Sequence, residues 1–94
     1  MGDLLREKRG EILRLAHLYG VRSVRVFGSV ARGEADEESD IDLLVEMEQG
    51  RSLFDLGGFQ AEVERLLGHH IDVVTVRGLK ERIRKQVLME SQPL

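Results

Sequence analysis

At 94 residues the chain is sized for one domain, residues 1–94, around one modest core. Apolar residues at 41% and charged residues at 33% describe a globular chain, and the absence of cysteine excludes both a disulfide framework and a thiolate zinc site. A net charge of -3 argues against direct nucleic-acid binding, and the lack of a membrane-length apolar run or leader-like start makes the cytoplasm the expected compartment.

Leu4, Leu5, Ile12, Leu15, Ala16 and Leu18 recur at helical spacing, which predicts an amphipathic helix from about Asp3 to Leu18, stopped at Gly20. VRSVRVF is β-branched and alternating, and predicts a strand ending at Gly28. SVAR can form a short helical turn, and GEADEESD reads as a loop. IDLLVEM predicts a second strand, ended by Gln49 and Gly50. Ser52 can cap a helix through LFDLGGFQAEVERLL, with Gly57 and Gly58 expected to bend or delay its first half. HIDVVTV predicts a third strand, and Leu79 to about Glu90 a last helix. Three short strands interleaved with helices imply an α/β or α+β layer structure.

Charge is segregated along this order. Eight acids and no bases fall between Glu34 and Glu48, whereas Arg77 to Lys85 holds five bases and one acid. Within the acidic stretch Asp40 and Asp42 interrupt an apolar strand. Alternation turns both to one face, about 6.6 Å apart along the strand, with Ile41, Leu43 and Val45 on the other. Two such carboxylates repel one another unless a cation lies between them. Mg²⁺ suits the site because it takes carboxylate oxygens while keeping waters and substrate phosphates. Asp72, between Ile71 and Val73, repeats the device and can converge on the same site if the two strands are neighbours. Gly28 permits a sharp turn and close ligand approach, and Ser29 can open a helical turn whose N–H groups bind anions. Arg32 is a further candidate for the same phosphates. The bland alternative is that the acids lie on the solvated face of an edge strand. A calcium loop does not fit, because Ile41 stands where the EF-hand glycine belongs and Met47 where the closing glutamate belongs.

Gly28-Ser29 followed after ten residues by Asp40-x-Asp42 resembles the signature of the DNA polymerase beta-like nucleotidyltransferase superfamily. The fuller string GSVARGEADEESDIDLLVE is similar to the minimal nucleotidyltransferase (MNT) antitoxins of HEPN/MNT toxin–antitoxin systems, and the similarity runs on through most of the chain. The resemblance implies a small mixed sheet of three to four strands flanked by helices. It implies that Asp40, Asp42 and Asp72 bind two Mg²⁺ ions and that Gly28 and Ser29 hold the phosphates of ATP. The implied reaction moves AMP to a hydroxyl, a tyrosine of the cognate HEPN ribonuclease toxin, in a heteromeric complex that silences the toxin. The rival expectation is a non-catalytic antitoxin that neutralises its toxin by binding alone. Since 94 residues leave no room for a separate acceptor domain, the partner is expected to complete the cleft.

The remaining candidates have plainer readings. His69 and His70 are adjacent and point to opposite faces, so they read as residues leading into the third strand. His17 carries no motif. Lys80, Arg82, Arg84 and Lys85 read chiefly as the solvated face of a helix whose Leu79, Ile83 and Val87 pack inward, with Arg82 the least settled. Tyr19, the single tyrosine, is a conceivable but poor self-modification site.

Overall fold

A computed structural model of the chain describes residues 2–28, 31, 33 and 40–94. In chain order the elements are α1 (Gly2–Glu7), α2 (Arg9–Leu18), β1 (Val21–Phe27), β2 (Ile41–Met47), α3 (Leu53–Leu67), β3 (Ile71–Thr75), α4 (Glu81–Glu90) and β4 (Gln92–Pro93). The expected first helix is two helices. Lys8, at φ -96° and ψ 7°, leaves helical geometry between them. The apolar spacing nevertheless runs across the break, so Leu5, Ile12 and Ala16 are all buried.

The strands form one mixed sheet in the order β3-β2-β1-β4. β1 is antiparallel to β2 and to β4, whereas β2 and β3 run parallel, joined by α3 as the crossover. This is the small helix-flanked mixed sheet expected. The fourth strand, two residues ending in Pro93, escaped the periodicity because it is too short to alternate. Proline is tolerated there because β4 is an edge.

One sheet face carries the core. Val24, Val26, Leu43, Val45, Ile41 and Ile71 are buried together with Ile12 and Ala16 of α2 and Phe59, Val63 and Leu67 of α3. The last three recur at every fourth position, which places them on one stripe of the helix. α3 begins with a capping box. The Phe54 N–H donates to Ser52 Oγ at 3.2 Å, and the Ser52 N–H donates to Asp55 Oδ2 at 3.0 Å. Gly57 and Gly58 do not delay this helix, which is continuous from Leu53. Gly58 has a packing reason: a Cβ there would stand 2.5 Å from Tyr19 Cε1, so glycine lets the ring approach the helix.

α4 departs from expectation. It buries none of its residues fully, Ile83 is 40% exposed and Met89 76%. The partly buried Arg84 donates through its guanidinium to Leu79 O at 3.0 Å. The chain then returns to the sheet: Arg25 donates to Ser91 Oγ at 2.6 Å and to Ser91 O at 3.1 Å, and β4 pairs with β1.

Candidate functional site

The parallel register sets Asp42 directly beside Asp72, with Ile41 beside Ile71. Identical phase on neighbouring strands places both carboxylates on the sheet face opposite the main core. Asp40 and His70 stand just before their respective strands, tied together where the Ile41 N–H donates to His70 O at 3.1 Å. Asp40 is exposed, and Asp42 and Asp72 are half-buried.

α3 fixes this end of β3. The Gln60 side chain donates to Ile71 O at 2.8 Å, and Glu64 Oε2 accepts from the Ile71 N–H at 3.1 Å. Gln60 and Glu64 are one helical turn apart, so a single helix face holds both backbone groups of the residue between His70 and Asp72. The same Glu64 oxygen lies 2.9 Å from His70 Nδ1, and His70 Nε2 lies 3.2 Å from Asp72 Oδ1.

Asp40, His70 and Asp72 each offer one ligand atom, and these atoms all lie within 4.8 Å of one another. Two carboxylate oxygens and an imidazole nitrogen at that spacing are a donor set that fits a divalent cation. Burial works against a charged His70 ring, yet the carboxylates of Asp40, Asp72 and Glu64 outweigh it and raise its pKa above the ordinary value.

Gly28 closes the other side. It follows β1 with φ +72°, and Phe27 before it pairs with Asp42. Any Cβ at position 28 would run into Asp42 Oδ2, so the Asp42 carboxylate lies in the space that glycine leaves. Ser29 and Arg32 lie outside the described residues, as does most of the acidic loop.

Of the residues singled out by sequence, then, the structure brings Asp40 together with Asp72, Asp42 beside Asp72, and Gly28 against Asp42. His70 is the addition. Its signal was present as His70-x-Asp72, the two-residue spacing that places side chains on one face of an extended segment.

The family model for the nucleotidyltransferase domain matches residues 7–94. Protein adenylyltransferase MntA of Thermococcus cleftensis is 45% identical over 76 residues, spanning 81% of this chain and 77% of that protein. A solved structure, provisionally described as a minimal nucleotidyltransferase, superposes with a TM-score of 0.91 at 50% identity, covering 99% of this chain and 95% of that one. At the level of fold alone, the chain is similar to a chain of a toxin–antitoxin complex with AMP-PNP, with TM-score 0.75, 20% identity, and coverage of 89% and 69%. It is similar in the same way to a chain of the complex of tri-AMPylated Shewanella oneidensis HEPN toxin with MNT antitoxin, with TM-score 0.69, 18% identity, and coverage of 99% and 71%.

Proposed function

The chain belongs to the nucleotidyltransferase domain family, and from that membership we propose that it is a protein adenylyltransferase serving as the antitoxin of a toxin–antitoxin pair. Its reaction would transfer AMP from ATP to a tyrosine hydroxyl of a HEPN ribonuclease toxin, within a complex of the two proteins. The observation that carries this reading is the in-phase pairing of Asp42 with Asp72, with Asp40 and Gly28 at the same end of the sheet. Packing gives no reason for carboxylates at matched positions of adjacent strands, whereas phosphoryl transfer needs convergent anionic ligands there.

Asp40, Asp42 and Asp72 would hold Mg²⁺, which when bound neutralises charge on the triphosphate and on the departing pyrophosphate. The chain's own residues supply position. Gly28 lets the backbone approach the phosphates, and Ser29 and Arg32 are proposed to bind them. Asp72, on the strand beside Asp42, faces the acceptor and receives the hydrogen bond of its hydroxyl. The acceptor oxygen then forms a bond to the α-phosphorus as the bond to the pyrophosphate oxygen breaks. The hydroxyl proton leaves through the Asp72 side of the site. Alignment of these groups, more than proton transfer, accounts for the rate. Among the described residues no helix is long and apolar enough to cross a membrane.

Labelled ATP, Mg²⁺ and a HEPN toxin from the same genome test the proposal. Label should appear on the toxin, and both label and neutralisation should vanish with Asp40→Asn/Asp42→Asn. Full neutralisation by that variant would overturn the enzyme in favour of an antitoxin acting by contact alone.

A further inference from the structure

His70 stands between the carboxylate of Glu64 and the acids of the site. Its Nδ1 faces Glu64 Oε2 at 2.9 Å, and that oxygen is itself anchored by the Ile71 N–H at 3.1 Å. With Glu64 on the Nδ1 side, Nε2 is turned toward the acids, 3.2 Å from Asp72 Oδ1, and one atom each of Asp40, His70 and Asp72 lie within 4.8 Å of one another. A divalent cation at this spacing takes all three groups as ligands at once, where a ring proton satisfies one carboxylate. The side chain is 56% exposed, so a salt bridge there contributes little to folding, while an ion from solvent can reach it. Carboxylate to imidazole to metal is the arrangement by which proteins fix a ligating histidine in one tautomer.

Resting on the nucleotidyltransferase reading of the site, we infer that His70 is itself a ligand. Together with Asp40 and Asp72 it binds a divalent cation through Nε2, with Glu64 as the residue that orients its ring. An imidazole in place of one oxygen donor shifts the preference of this position away from Mg²⁺ and toward first-row transition ions, which accept nitrogen more readily than Mg²⁺ does. The site is thereby of mixed character, with a nitrogen donor on the His70 side and the carboxylate of Asp42 beside Gly28.

Mn²⁺ is the probe, and pulsed electron paramagnetic resonance of the whole chain is the readout. Mn²⁺ bound to the wild type should show nitrogen-14 modulation from a directly coordinated imidazole. His70→Gln should abolish the modulation and weaken Mn²⁺ binding by at least the roughly 10- to 100-fold typical of losing a residue that merely orients a ligand, with Mg²⁺ binding little changed. Glu64→Gln should keep the modulation and bind Mn²⁺ more weakly. Circular dichroism melting confirms that each variant is folded. Mn²⁺ bound without nitrogen modulation, no Mn²⁺ binding at all, or equal Mn²⁺ affinity in His70→Gln would each overturn the inference. None of these bears on AMP transfer, which is read separately with labelled ATP. A chain with the nitrogen signature but no transfer would sink the function and leave the ligand.

Discussion

The carboxylate of Asp42 lies in the space that a side chain at position 28 would need. Two constraints therefore fall on Gly28 at once, a left-handed backbone with φ +72° and a neighbour that excludes a methyl group. Gly28→Ala should cost about 1 to 2 kcal/mol of stability from the backbone alone. Its larger effect is displacement of Asp42, so AMP transfer should fall far more than the shift in denaturation midpoint would account for. Transfer at the wild-type rate in a folded Gly28→Ala protein would remove this glycine from the site.

Asp72 and Asp42 are neighbours in the sheet but are assigned different work. Asp72→Asn should lower transfer by on the order of 100-fold or more, as loss of a group acting in the transition state does. Nucleotide binding, measured by calorimetry with a non-hydrolysable ATP analogue, should persist because Asp40, Asp42 and Gly28 remain. Undiminished transfer would take Asp72 off the list of catalytic groups.

Gly57 and Gly58 look alike in sequence and should respond oppositely to alanine. Nothing lies within 4 Å of a Cβ at Gly57, so Gly57→Ala should gain about 1 kcal/mol from helix propensity. At Gly58 the same gain is opposed by collision with the Tyr19 ring, and overpacking of this kind costs about 1 to 3 kcal/mol. Urea denaturation of the two variants should move in opposite directions. Equal gains would mean that the ring yields without loss.

The capping box of α3 gives a pH-dependent contribution of known sign. Its hydrogen bond from the Ser52 backbone, aided by Arg51, holds the Asp55 carboxyl below its ordinary pKa of 3.8. A carboxyl depressed in the folded state stabilises fully above its unfolded pKa and loses that contribution as pH falls through the folded value. The stability difference between wild type and Asp55→Asn should thus be constant near neutrality and shrink below about pH 4. Ser52→Ala should cost about 1 kcal/mol at neutral pH while leaving transfer intact.

The parts of the fold written in local pattern were legible in the sequence. β1, β2 and β3 follow from β-branched alternation, and α3 from Ser52 and the apolar stripe ending at Leu67. What local pattern does not encode was harder to see. The break at Lys8 leaves the apolar period of the first two helices undisturbed, and β4 is too short to have a period. The spacing of Ile83 suits an inward face of α4, but spacing cannot say whether a neighbour covers that face. Asp40, Asp42 and Asp72 stood out because charge interrupts apolar runs. His70 did not, because His69 beside it suggests a pair on opposite faces, whereas its partner is Asp72 two residues on. Its connection to Glu64 depends on how α3 lies against β3, which no motif carries.

The close approach of Tyr19 to Gly58 has a practical consequence. The chain contains no tryptophan and one tyrosine, so all of its tyrosine emission arises where α2 meets α3. Unfolding can be followed by unlabelled tyrosine fluorescence from that single position. The same economy serves mass spectrometry: a tyrosine adduct found in a complex, if Tyr19 is recovered unmodified, belongs to the other protein.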